Sequence, residues 1–266
     1  MADLVFIGVP YWLGKKDEYS GSVDIVKNSS VAAEFNAGWV DLSPQFDAFD
    51  HPVNAVNRAV ADAIKVALAD NKVPLIIADD CTVCIGNMKG LEQFSPDVLW
   101  YDAHGDFNTE ETTPSGFLGG MPLAAMVGLG NQYLITGIDF APIDDNKVYL
   151  TDGRDLDEGE AELVANSNLT HWLSLNGELD HDWDNTPLYI HFDGDIIRLE
   201  DHPAVGYPAD GGPSTVDCIE SLQHAIESAD VKAVHFTCWN ATLDGAEQSQ
   251  KTIMSVIRHV AKALRG

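Results

Sequence analysis

The chain predicts an α/β protein, with a parallel sheet covered by helices on both faces. Three observations carry this: apolar runs of strand length, stretches of helical periodicity between them, and acidic clusters where two of the runs end. Runs at residues 4–9, 74–78, 98–102, 133–136, 148–151, 188–193 and 233–237 predict strands. Most are unbroken rather than alternating, as expected where a sheet is buried on both sides. Between the first two, Pro52 sits near the start of a helix on which Val53, Val56, Val60, Ile64, Ala67 and Leu68 recur at spacings of three and four. Ser214 can cap a second helix that turns Ile219, Leu222 and Ile226 inward. A third closes the chain, with Ile253, Ile257, Val260 and Leu264 on one stripe. Strand–helix alternation over the whole length is the pattern of a parallel sheet. No repeat, low-complexity tract or composition shift divides the 266 residues, so residues 1–266 read as a single domain.

Composition narrows the function. At 45% hydrophobic the chain can bury one large core, yet no apolar stretch reaches the roughly 20 residues of a membrane span. The N-terminal segment lacks the basic start and small-residue cleavage site of a signal peptide and reads as an opening strand. Cys81, Cys84, Cys218 and Cys238 fall inside predicted core elements rather than forming a spaced framework, which predicts reduced thiols and a cytoplasmic protein. A formal charge of -27 argues against nucleic acid and anionic membranes as partners, because both need clustered Lys and Arg.

The most informative segment is Asp102-Ala103-His104-Gly105-Asp106, directly after an apolar run; Asp193-Gly194-Asp195 follows another. Alternate residues of a strand share a face, roughly 6.6 Å apart. Asp102, His104 and Asp106 can therefore converge as one strand ends, and Asp193 and Asp195 can join them from a neighbour. Among 42 acidic residues a lone Asp-x-His or Asp-x-Asp is usually a solvated turn. Two such clusters, each at the carboxyl end of a predicted strand, stand where α/β proteins place ligands. Gathered carboxylates repel unless a cation lies between them, and mixed O/N donors suit Mn or Mg, with Zn possible.

These motifs, with Gly8-Val9-Pro10 at the start and Gly211-Gly212 closing the loop at 203–213, resemble the arginase/agmatinase (ureohydrolase) superfamily over nearly the whole chain. The resemblance implies a three-layer α/β/α fold around an eight-stranded, mostly parallel sheet, the fold shared by arginases and deacetylases. It also implies a dinuclear manganese centre, two Mn2+ per chain, generating a hydroxide that attacks a guanidinium-type carbon. Carried over, Asp102 and Asp193 are the shared carboxylates, His104 and Asp195 complete one metal, and Asp106 helps hold the other and serves catalysis as a proton acceptor. The family's first metal ligand is a histidine, and Cys81 occupies its place. A thiolate there admits Zn2+ or Fe2+, whereas the plainer role of such a cysteine is a small buried hydrophobe. Asn108 and Ser115, in Asn108…Thr112-Thr113-Pro114-Ser115-Gly116, resemble the segment by which arginases hold an amino-acid carboxylate. That points to a small guanidino amino acid as substrate.

Three departures qualify the resemblance. The family's proton-shuttling histidine aligns with Gly119, its guanidinium-holding glutamate with Cys238, and a further acidic residue with Arg198, Asp201 coming later. Protonating a poorly leaving amine is harder without the shuttle, and a substrate with a less basic nitrogen needs less help. In active-site pattern the chain is most similar to the N-hydroxyarginine amidinohydrolase-like members. Two alternatives stand beside this reading: a single-zinc deacylase of the same fold, which would not need Asp106 and Asp195, and a non-catalytic descendant that binds metal or ligand. Oligomeric state is open between monomer and homo-oligomer.

Overall fold

The computed structural model describes residues 2–16, 21–130, 132–237 and 239–266. In chain order the strands are β1 (Asp3–Val9), β2 (Tyr11–Trp12), β3 (Lys15–Lys16), β4 (Gly38–Asp41), β5 (Lys72–Ala78), β6 (Asp97–Asp102), β7 (Val148–Asp152), β8 (Thr170–Trp172), β9 (Pro187–Asp193) and β10 (Asp230–Thr237). Eight of them form one sheet in the order β4-β1-β5-β10-β9-β6-β7-β8, and β2 and β3 make a small antiparallel ladder beside it. Every pairing in the large sheet is parallel.

Alternate residues of the central strands feed two separate cores. Val98, Trp100, Ile76, Tyr189 and Ala233 face one, with the helices Pro52–Ala69 and Cys84–Leu91 packed over them. Leu99, Tyr101, Leu75, Ile190 and Val234 face the other, under the helices Thr215–Ser228 and Ala246–Arg265. This is the three-layer α/β/α arrangement, and unbroken apolar strands are what burial on both faces requires.

Local chemistry sets the helix starts. Pro52 occupies the first turn of its helix, where a missing N–H costs nothing. Ser214 accepts from Asp217 N while Asp217 reaches back to Ser214 N, a reciprocal capping box. Of the expected strands, residues 133–136 do not form one. Tyr133–Thr136 is a single helical turn with Leu134 and Ile135 buried. A four-residue run with three apolar members carries too little periodicity to separate one turn of helix from a short strand, and Gly137 follows at once. The sheet's outer strands, β4 and β8, are four and three residues long and only partly buried, so no long apolar run announces them. No helix among the described residues is long and apolar enough to cross a membrane.

The strand order positions the site. The chain leaves β5, crosses over β10 and β9, and returns as β6 on their far side. Ligand sites in open α/β sheets form outside the carboxyl ends of strands where the order reverses. Here that edge lies above β5, β10, β9 and β6.

The helices Pro52–Ala69 and Cys84–Leu91 approach closely through two glycines. A Cβ at Gly86 would lie 2.5 Å from Asn57 O, and one at Gly90 2.7 Å from Ile64 Cβ. Alanine favours a helix over glycine by about 1 kcal/mol, but overpacking costs about 1–3 kcal/mol. Gly86→Ala is therefore expected to lower the urea midpoint of unfolding, and an unchanged or raised midpoint would mean that the helices separate freely.

Candidate metal centre

Asp102 is the last residue of β6 and Asp193 the last of β9. Their strands are adjacent, with Tyr101 opposite Phe192, so the two carboxylates emerge side by side. Trp100 Nε1 donates to Asp102 Oδ2 at 3.0 Å, and His104 N donates to Asp102 Oδ1 at 2.8 Å. Asp193 Oδ1 accepts from Asp195 N at 2.9 Å, and Asp195 Oδ1 accepts from Ala103 N across the strand gap at 3.2 Å. Each acidic cluster thus folds its own backbone amides back onto its carboxylates, an Asx-type turn at a strand end.

Cys81 begins the short 3-10 turn Cys81–Val83 after β5. Asp80 caps that turn, accepting from Thr82 N at 2.8 Å, and it accepts from Leu13 N at 2.7 Å. So held, Cys81 donates from Sγ to Asp193 Oδ2 at 3.2 Å. Cys81, Cys84 and Cys218 are all buried, and none of them is in a disulfide.

His104 turns Nδ1 towards two carboxylates, 3.1 Å from Asp195 Oδ2 and 3.4 Å from Asp102 Oδ1. Burial opposes its charge, but hydrogen bonds to Asp102 and Asp195, with their charges, outweigh that and raise its pKa to about 12. Asp102 is pushed up to about 7, by burial first and then by the Asp195 charge. Burial also acts against Asp195, yet the closer His104 contact wins and holds its carboxyl below the usual range. Asp106 lies well above the usual range through burial and the charges of Asp102 and Asp193. Its φ of 48° is left-handed, and its Oδ2 is buried with no hydrogen-bond partner.

Two groups of donor atoms lie within 4.8 Å of one another: Cys81, Asp102, His191 and Asp193 in one, and Asp102, His104 and Asp195 in the other. Asp102 belongs to both and Asp106 to neither. Buried carboxylates, an imidazole and a thiol sharing one aspartate, with a bare Asp106 oxygen beside them, fit two divalent cations by donor chemistry. His191 is the residue the sequence reading missed. Its signal was the alternation His191-x-Asp193-x-Asp195, which puts all three on one face of the strand and its extension. Inside an apolar run it read as core.

The other expected site residues fall further out. Asn108 Nδ2 donates to Asp157 Oδ2 at 2.9 Å and its Oδ1 accepts from Thr112 Oγ1 at 2.9 Å, so both ends of its amide are engaged. Ser115 is exposed, and its Oγ accepts from Phe117 N at 3.1 Å. Cys238 lies outside the described residues. Arg198 donates from Nε to Asp201 Oδ2 at 3.1 Å. At Gly119 an added Cβ would lie 2.4 Å from the Phe117 ring. Phe117 in turn packs against Trp12 and Tyr207, with ring centroids 6.2 and 5.0 Å away.

Known proteins resemble this chain in sequence and in fold. A family model described as "Arginase family" matches residues 2–262. An arginase from Bacillus subtilis is 29% identical over 77% of this chain and 74% of its own length. The N(omega)-hydroxy-L-arginine amidinohydrolase of Streptomyces lavendulae is 30% identical over 79% of this chain and 74% of its own. The crystal structure of the Bacillus subtilis arginase superposes with a TM-score of 0.86 at 25% identity, covering 97% of this chain and 98% of that one.

Asp106 offers a direct test of the site's electrostatics. A buried acid with a raised pKa binds protons more tightly folded than unfolded, so its ionisation costs stability as pH rises above the ordinary carboxylate range. In chelator at pH 7, Asp106→Asn is expected to melt a few degrees above wild type. Added Mn2+ should stabilise wild type more than the variant. Melting curves with EDTA and with MnCl2 read both effects, and a variant that melts lower in EDTA would contradict the assignment.

Proposed function

The chain belongs to the arginase family, and from that premise we propose that it hydrolyses the C–N bond of a guanidino amino acid at a two-metal centre, with N-hydroxy-L-arginine preferred over L-arginine. The observation that carries the reading is the pair of donor groups sharing Asp102. A single-zinc deacylase needs one such group, and the second would be a costly gathering of charge.

In this reading Cys81, Asp102, Asp106 and Asp193 would hold one ion, and His104 and Asp195, with Asp102 and Asp193, would hold the other. Mn2+ is the family's metal, and the Cys81 thiol adds Zn2+ or Fe2+ as candidates. Such ions, when bound, supply Lewis acidity and a water acidic enough to attack at neutral pH. The chain's own residues do the rest. Trp100 and the backbone amides of Ala103, His104 and Asp195 fix the carboxylates so that they need not reorganise. Asp106 Oδ2, buried and without a hydrogen-bond partner, is the atom suited to take a proton from the attacking water. Asn108 and Ser115 hold the amino-acid end of the substrate.

The substrate preference follows from Gly119 and Phe117. Collapse of the tetrahedral intermediate expels an amine only if that nitrogen is protonated, and the space for a shuttling side chain at 119 is filled by an aromatic ring. An N-hydroxyguanidine is less basic than a guanidine, so more of it is neutral at the start, and its own hydroxyl can carry a proton beside the reacting carbon. Water adds and the C–N bond breaks, giving ornithine and hydroxyurea. The relative from Streptomyces lavendulae bears the name of this activity.

With Mn2+ loaded, kcat/KM for N-hydroxy-L-arginine is expected to exceed that for L-arginine by about 10²–10⁴, the usual contribution of one general acid–base group. Comparable turnover of both would return the protein to ordinary arginase chemistry, and turnover of neither with two metals bound would sink the reading. Ser115→Ala should mainly raise KM. Asp102→Ala and Asp193→Ala should abolish activity and metal retention together, measured by elemental analysis.

A further inference from the structure

β9 and β10 bury two histidines opposite one another, His191 and His235, each fully inaccessible. The His191 ring lies flat on Trp100, with centroids 3.6 Å apart and planes 9° from parallel. Its Nδ1 is 2.9 Å from His235 Nδ1, and Tyr189 OH is 3.2 Å from that same His235 nitrogen. Tyr189 OH also accepts from Asn87 Nδ2 at 2.9 Å. With the His191 hydrogen on Nδ1, directed at His235 Nδ1, the lone pair lies on Nε2, which is buried with no hydrogen-bond partner, and His191 stands within ligand distance of Cys81, Asp102 and Asp193. An imidazole donating Nδ1–H to a second group while baring Nε2 is the arrangement of a metal-ligating histidine.

We propose that His191 is a metal ligand, binding through Nε2 and completing with Cys81, Asp102 and Asp193 the position opposite His104. His235 and Tyr189 are then positioning residues that set its tautomer. The inference rests on the two-metal reading above and changes its content. One position carries thiolate, imidazole and carboxylate donors, the other imidazole and carboxylates alone. Softer donors select Zn2+, Co2+ or Fe2+ over Mn2+, so the two positions differ in metal preference and the centre takes a mixed pair.

Cobalt reports on this without an activity assay. Chelator-treated full-length protein titrated with Co2+ is expected to bind two ions per chain and to show the near-ultraviolet charge-transfer band of thiolate-bound cobalt. His191→Phe, which keeps a ring against Trp100, should bind one ion per chain and lose that band. Tyr189→Phe leaves His191 in place and should weaken binding at the thiolate position by about 10–100-fold, the usual effect of removing an outer partner. Titration with Mn2+ and Zn2+ together should load one of each in wild type. His191→Phe that folds and keeps both ions and the band overturns the proposal. If that variant does not fold, unchanged cobalt affinity in Tyr189→Phe overturns it instead. Wild type that binds fewer than two ions overturns both this and the two-metal reading. Wild type that binds two but hydrolyses no guanidino compound removes only the functional reading and leaves the His191 assignment to the variants.

Discussion

Asp102, Asp106, Asp193 and Asp195, each no more than 5% exposed, share one edge of the sheet. Carboxylates desolvated together repel one another strongly, which disfavours their charged forms. His104 offsets part of this by turning one ring nitrogen to two of them. What remains is visible in Asp102 and Asp106, whose pKa values are displaced upwards. The site is thus built against its own electrostatics, and cations bound there would offset the repulsion.

The fold tolerates this because its glycines and amides are fixed by neighbouring structure. Gly105, inside the first acidic motif, sits where a Cβ would come within 2.6 Å of Glu160 Oε1. Glu160 itself accepts from Phe107 N at 2.8 Å, tying the turn after β6 to the helix Glu158–Asn166. Gly194, inside the second motif, would meet His202 Nε2 at 2.8 Å. Arg154 donates to the carbonyl of Asp195 at 3.0 Å and of Ile196 at 3.1 Å, joining that turn to the loop at 203–213 through Asp210 O. Both motif glycines are therefore there for close packing, and the turns cannot relax away from the charge they carry.

The outer rim has a different character. Trp12, Phe117 and Tyr207 form an aromatic group over Gly119, with Trp12 and Tyr207 44% and 55% exposed. Aromatic faces attract guanidinium-like cations, and a chain of net charge -27 attracts such cations over longer range. The Phe117 ring occupies the space that a side chain at 119 would need.

The alternation of strands and helices, the capped helix starts and the two acidic clusters were legible in the sequence, because each depends on residues a few positions apart. The outer strands β4 and β8 were not, since they are short and largely or partly exposed, and Tyr133–Thr136 misled because so short a run fits a helical turn as well as a strand. At the site, Asp102, His104, Asp193 and Asp195 announced themselves as alternating polar residues after apolar runs. His191 carried no such mark. It lies within an apolar run, and its meaning comes from Trp100 on β6, His235 on β10 and Asn87 on the helix after Cys81. Which nitrogen of a buried histidine bears the proton is set by partners 44 and more residues away in sequence. Local chemistry therefore determined where carboxylates could gather. Only the tertiary structure decided which other atoms meet them and which lone pair is left bare.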